Sequence, residues 1–114
     1  LYPAFQFLPL ILIDNAIKYS SNDRSIEIGI YEHGDSVGVH VSSFGKFVDD
    51  SEAEKIFEKY YRGGNSQNKE GIGMGLWIAK TLCEAHEGSI TYEKNGYGDY
   101  GQNVFKVNIP RIDP

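Results

Sequence analysis

Cysteine is almost missing from this chain. Cys83 stands alone among 114 residues, so no internal disulfide is possible, and a single thiol in an apolar-patterned segment suits a reducing, cytoplasmic setting and reads as core filling. Long hydrophobic runs are missing too. The longest, Leu10 to Ile13, falls far short of the roughly 20 apolar residues that cross a bilayer, and no signal-peptide pattern precedes it. Positive charge is scarce: the net charge is −5, which leaves no basic face for a nucleic-acid backbone. His33, His40 and His86 lack any metal-ligand spacing. What is present is ordinary for a globular protein, with 40% hydrophobic and 24% charged residues, enough for one domain over residues 1–114 with a single core. No internal repeat or linker interrupts it.

The apolar periods give the expected elements. "LPLILIDNAIKYS" carries Leu8, Leu12 and Ala16 at helical spacing, which predicts a helix ending near Ser20 that either starts at Pro9 or bends there. "SIEIGIYEHGDSVGVHVSS" alternates Ile26, Ile28 and Ile30, turns at Gly34-Asp35, then alternates Val37, Val39 and Val41. That pattern predicts a hairpin with one buried face. Asp49, Asp50 and Ser51 are candidate N-caps for "SEAEKIFEKYYR", where Ile56, Phe57 and Tyr60 form the stripe of a second helix. Residues 63–73, rich in glycine, read as a mobile loop. A third helix follows from Gly75 through Leu82 and Cys83, with Gly88 at its C-terminal cap. "SITYEK" and "VFKVNIP" then read as strands joined by the turn-rich "NGYGDYGQN". The fold class expected is α+β: a two-layer sandwich whose mixed, mostly antiparallel sheet carries helices on one face.

The chemistry-bearing stretch is "GIGMGL", residues 71–76. Glycines at every second position just ahead of a helix let backbone N–H groups approach an anion while the helix dipole favours negative charge. Such entries also serve as plain turns. Lys and Ser or Thr do not follow the last glycine, and no strand precedes the motif, so neither a Walker loop nor a dinucleotide fold is indicated. Asn15 offers an oxygen from a helix face, a hard ligand suited to magnesium. Lys18, three residues on, shares that face and can meet a phosphate as a point charge.

Taken in order, "DNAIKYS" (14–20), "IFEKYYRG" (56–63) and "GIGMGL" resemble the N, F and G2 boxes of the ATP-binding catalytic domain of sensor histidine kinases, a Bergerat-type fold. The resemblance spans nearly the whole chain. It implies ATP and Mg²⁺ as cofactors, with Asn15 as metal ligand and Asn15 and Lys18 as the catalytic pair. It places nucleotide contacts at Asn15, Lys18, Tyr19, Ser43, Gly45, Tyr61, Arg62, Gly71, Gly73, Met74, Gly75 and Leu76, with residues 63–73 as a lid. The γ-phosphoryl group would pass to a histidine on a separate dimerisation domain and then to a response regulator. A monomeric fragment is expected, cytoplasmic in itself or as the cytoplasmic part of a membrane-bound kinase. In that family a strand usually precedes the N-box helix, and here it is missing or cut short. His86-Glu87 echoes a phosphoacceptor motif, but cap and strand follow it, so a structural role is expected.

Two positions depart from the family pattern. The G1 box, Asp-x-Gly-x-Gly in the family, aligns with "SFGKF": Ser43 stands for the aspartate that accepts from the adenine amino group, and Phe47 for the second glycine. Loss of a charged hydrogen bond of about 1.5–3 kcal/mol would weaken adenine binding roughly 10- to 150-fold. Phe47 would be strained in a glycine-only conformation, or would pack over the base. Ile11, one turn before Asn15, replaces a carboxylate found in related ATPases and cannot accept a proton, which excludes water activation by that route. These departures leave two alternatives open, an interaction module of the same fold that no longer binds nucleotide and an anti-sigma-type serine kinase.

Overall fold

The computed structural model describes residues 7–20, 25–58 and 75–110, Tyr19 by its backbone alone. The first helix, α1, spans Leu8–Tyr19. Pro9 falls in its first turn, where the missing N–H costs nothing and the fixed φ suits helix entry, so of the two expectations the helix start is the one observed. Leu8, Leu12 and Ala16 form its buried stripe. Burying each leucine contributes about 2 kcal/mol, so Leu12→Ala is the single change that best detaches this helix.

Strands β1 (Ile26–His33) and β2 (Ser36–Lys46) form the expected hairpin about Gly34-Asp35, Gly34 taking φ 60°. After a three-residue 3-10 turn at Lys55–Phe57 comes α2 (Gly75–Ala85), then β3 (Ser89–Asn95) and β4 (Tyr100–Pro110). The sheet order is β1-β2-β4-β3 with every neighbouring pair antiparallel, so no parallel pair exists among the described residues and the mixed sheet expected is here purely antiparallel. Val41 faces Phe105 and Ile28 across the register, and Phe105 faces Tyr92. This face carries the core: Val41, Phe105, Val107 and Ile90 meet Leu12 and Ala16 of α1 and Ala79 and Cys83 of α2. Burial, and secondarily the Glu84 carboxylate, push the Cys83 thiol up to about 11.

Three expectations are corrected. The hairpin has a buried face only along β2: Ile28 and Ile30 are 54% and 72% exposed. Both lie on the helix-facing side, but α1 sits over β2 and reaches β1 hardly at all. The second helix is, over the described residues, only the 3-10 turn, whose N-cap is Glu54 rather than Asp49, Asp50 or Ser51. Its stripe is half right, since Ile56 is buried and Phe57 packs edge-on against Phe105 at 6.4 Å, while Tyr60 lies outside the described residues. The α2 cap is the third. The residue in the left-handed region is Glu87 (φ 61°), not Gly88. Gly88 N–H bonds back to Cys83 O at 2.7 Å and Glu87 N–H to Glu84 O at 3.0 Å, a Schellman closure. Gly88 is needed for space, because a β-carbon there would lie 2.4 Å from Asn108 O of β4. His86, buried, has Nδ1 at 2.9 Å from Leu82 O, which gives it the structural role expected.

Candidate functional site: the cleft between α1, α2 and the β2–β4 floor

Three pieces converge. Along α1, Ile11, Asn15 and Lys18 follow one helical flank, beside the buried stripe. Gly75, the first residue of α2, stands against this flank: a β-carbon placed on it would lie 3.7 Å from Ile11 Cγ2. The described start of α2 therefore lies against the α1 flank one turn before Asn15. Below them runs the helix-facing side of β2, where Ser43 is 1% exposed.

Two polar side-chain atoms among the described residues are buried with no hydrogen-bond partner: Asn15 Nδ2 and Ser43 Oγ. A buried polar atom left unpaired costs about 1–3 kcal/mol. Both fall at positions singled out as nucleotide contacts, on the two elements that form roof and floor. Turning the Asn15 amide about its last bond presents oxygen in place of nitrogen, the donor type that suits a hard cation. No cluster of three or more His, Cys, Asp or Glu able to hold a metal occurs among the described residues.

The remaining predicted residues fare unevenly. Lys18 pairs with Asp14 across one turn at 3.2 Å, and both side chains are partly exposed, so the pair is weak and the ammonium is available to an anion. Leu76 points into the core at 7% exposure, which leaves only its amide for the site. Gly45 is buried within the sheet, opposite Gly101. Tyr61, Arg62, Gly71, Gly73 and Met74, with the lid at 63–73, lie outside the described residues, as does the side chain of Tyr19. A groove of about 560 Å³ between the 3-10 turn, α2 and β3 is lined by Phe57, Lys80, Ile90 and Tyr92 and includes none of the predicted contacts.

Phe47 behaves unlike either expectation. Its φ is not positive, so no glycine-only conformation is forced on it. Its ring does not cover the cleft either: it is buried at 6% and turned onto Gly101 and Gly96 of the β3–β4 hairpin. Lys94 Nζ lies 5.5 Å from the ring centroid and pairs with Asp50 at 2.9 Å. The hydrogen bond to Asp50, ahead of the smaller opposing effect of desolvation, raises the Lys94 pKa. A clamp fixes the backbone on both sides of the ring. Asn103 Nδ2 donates to Lys46 O at 3.1 Å, the Tyr92 hydroxyl donates to Asn103 Oδ1, and Val48 N–H donates to Tyr92 Oη at 3.1 Å. Sequence reasoning passed over Tyr92 and Asn103. The available signal was Asn103 itself, a polar residue within the inward apolar alternation Phe105, Val107, Ile109 of β4.

Comparison with known proteins decides the family. The histidine kinase-, DNA gyrase B-, and HSP90-like ATPase family matches residues 6–111. The chain belongs to that family. The sensor protein KdpD of Clostridium acetobutylicum is 34% identical over 102 residues, covering 88% of this chain and 11% of its own length. The sensor histidine kinase HprS of Escherichia coli is 35% identical over 101 residues, covering 88% of this chain and 21% of its own. The catalytic domain of the histidine kinase ThkA, solved free of nucleotide, superposes with a TM-score of 0.80 at 26% identity, over 94% of this chain and 66% of that one. The chain thus aligns with these sensor kinases over one domain of that ATPase family, and it spans only about a tenth to a fifth of their length.

Proposed function

We propose that this domain binds ATP with Mg²⁺ in the cleft between α1, α2 and β2, and presents the γ-phosphoryl group to a histidine on a separate dimerisation domain of the same kinase. The pair of orphaned buried atoms, Asn15 Nδ2 and Ser43 Oγ, carries this reading. A ligand lying between the helices and the sheet supplies partners for both. Asn15 holds the cation, Lys18 and the amides at the start of α2 meet the phosphates, and Tyr61, Arg62, Gly71, Gly73 and Met74, outside the described residues, are proposed as further nucleotide contacts. Bound Mg²⁺ supplies charge neutralisation on the phosphate oxygens.

The protein's share of the reaction is positioning and electrostatics. A neutral imidazole nitrogen on the acceptor domain carries its own lone pair. It forms the bond to the γ-phosphorus while the bond to the β,γ-bridging oxygen breaks, and ADP leaves. No general base is required of this chain, and Ile11, which packs where α1 meets Gly75, offers none. That arrangement favours transfer to a partner over hydrolysis. A response regulator is the proposed final acceptor, and the fragment itself is proposed to be a cytoplasmic monomer. No helix among the described residues is long and apolar enough to cross a membrane.

Calorimetry of the chain with ADP or a non-hydrolysable ATP analogue, with and without magnesium, tests the reading. Saturable heat that depends on magnesium is expected. No heat at about 1 mM nucleotide, where even a weak complex of about −4 kcal/mol would be half formed, overturns it in favour of an interaction module.

A further inference from the structure

We infer that Ser43 sets the base selectivity of the site and that it does so permissively, so that purines bearing a 6-amino or a 6-oxo group are accepted with similar affinity. The inference rests on the reading of the cleft as a nucleotide site with Ser43 at its base end, and adds to it which purines that residue accepts.

The two ends of the cleft differ in wetness. Gly75 is exposed, and the Lys18 side chain keeps 32% of its surface in solvent, which suits charged phosphates. Ser43, by contrast, is 1% exposed, between its register partners Ile26 and Asn103. The heterocycle is the part of a nucleotide that tolerates such burial. Asn103, next to Ser43, cannot serve as the reader. Its Nδ2 is committed to Lys46 O and its Oδ1 to the Tyr92 hydroxyl, and that hydroxyl is anchored in turn by Val48 N–H. Ser43 Oγ makes no hydrogen bond to any of these groups and has no partner of its own.

A hydroxyl differs from a carboxylate in the one property that matters here. It has a donor hydrogen that rotates and two lone pairs, so it can accept from an exocyclic amine or donate to a carbonyl oxygen. A carboxylate only accepts. Opposite a 6-oxo group it would leave two lone-pair-bearing oxygens facing each other with neither satisfied, which is how a buried hydrogen-bonding site rejects a near-isostere. With serine that rejection is lost, and the bond gained with either purine is a neutral one.

ADP and its inosine counterpart IDP probe this directly, since they share sugar and phosphates and differ at the C6–N1 edge. Titrated into the chain with magnesium, the two should bind within about tenfold of one another. Ser43→Asp should shift the ratio toward ADP by at least about tenfold. Because a buried aspartate can impair folding, Ser43→Ala is the companion variant, expected to weaken ADP and IDP alike by a few-fold, roughly the worth of one neutral hydrogen bond. A wild-type preference for ADP above about 100-fold, an unchanged ratio in a folded Ser43→Asp, or undiminished affinity in Ser43→Ala overturns the inference while leaving the nucleotide site standing. Failure of both nucleotides to bind overturns the nucleotide reading itself, and this inference with it.

Discussion

The phosphate end and the base end of the cleft are built on different principles. At the former, groups project from helix ends: Asn15 and Lys18 from α1, and the amides of α2 from Gly75 onward. The Lys18 side chain is partly solvated, and so is its ion pair with Asp14. At the latter, Ser43 and Gly45 belong to a strand whose backbone is paired along its whole length with β4, and Phe47 follows it directly, its two backbone neighbours pinned by Asn103 and Tyr92. The departures from the family's residue pattern within the described site fall chiefly on this second region. A closely packed region absorbs a glycine-to-phenylalanine difference when glycines elsewhere, here Gly96 and Gly101, leave room for the ring. The open end has no such means of compensation, since a ligand atom that is lost there has no neighbour to replace it.

Mutations at the two ends should therefore separate binding from stability. The largest effect is expected from Asn15→Ala, which should weaken magnesium-dependent nucleotide binding by more than about 100-fold with the thermal transition unmoved; calorimetry and melting measured on one preparation check both halves. Undiminished affinity would mean that the metal is held elsewhere. Next comes Phe47→Ala, expected to cost about 3 kcal/mol of stability through the cavity it leaves over Gly101, read from urea unfolding. Tyr92→Phe leaves Val48 N–H and Asn103 Oδ1 without their partner and should lower stability by about 1–2 kcal/mol. If it lowered nucleotide affinity and not stability, the division between the two ends would be wrong. The smallest effect belongs to the Lys94–Asp50 pair. Its folded-state lysine pKa is raised, so the pair's contribution is fully present at neutral pH and fades only as pH rises through the alkaline range where that lysine loses its proton. Asp50→Asn should flatten that alkaline decline and leave the neutral-pH melting temperature nearly unchanged.

Much of this was readable from local pattern. The period of Leu8, Leu12 and Ala16 located α1, and the alternation of Val37, Val39 and Val41 located β2, because both signals come from residues that pack on the core. Ile26 of β1 does pack on the core, whereas Ile28 and Ile30 misled: alternation reports which side of a strand is apolar, and cannot tell whether a helix reaches far enough to cover it. At the end of α2 the glycine signal was right and its meaning wrong, since Gly88 answers to a carbonyl of β4, some twenty residues away. In the cleft, Asn15, Gly75 and Ser43 were legible through resemblance to known boxes. The clamp was not. Val48 to Tyr92 and Lys46 to Asn103 are contacts 44 and 57 residues apart, and no window along the chain brings such partners together.

The isolation of Cys83 has a practical sequel. It is the sole thiol of the chain, fully enclosed between α2 and the sheet, and its raised pKa keeps it protonated at ordinary pH. A thiol-reactive dye can label it only in molecules whose α2 has lifted from the strands beneath. The rate of labelling is thus an intrinsic clock for that opening event, and its slowing by nucleotide would report how strongly an occupied cleft holds α2 down.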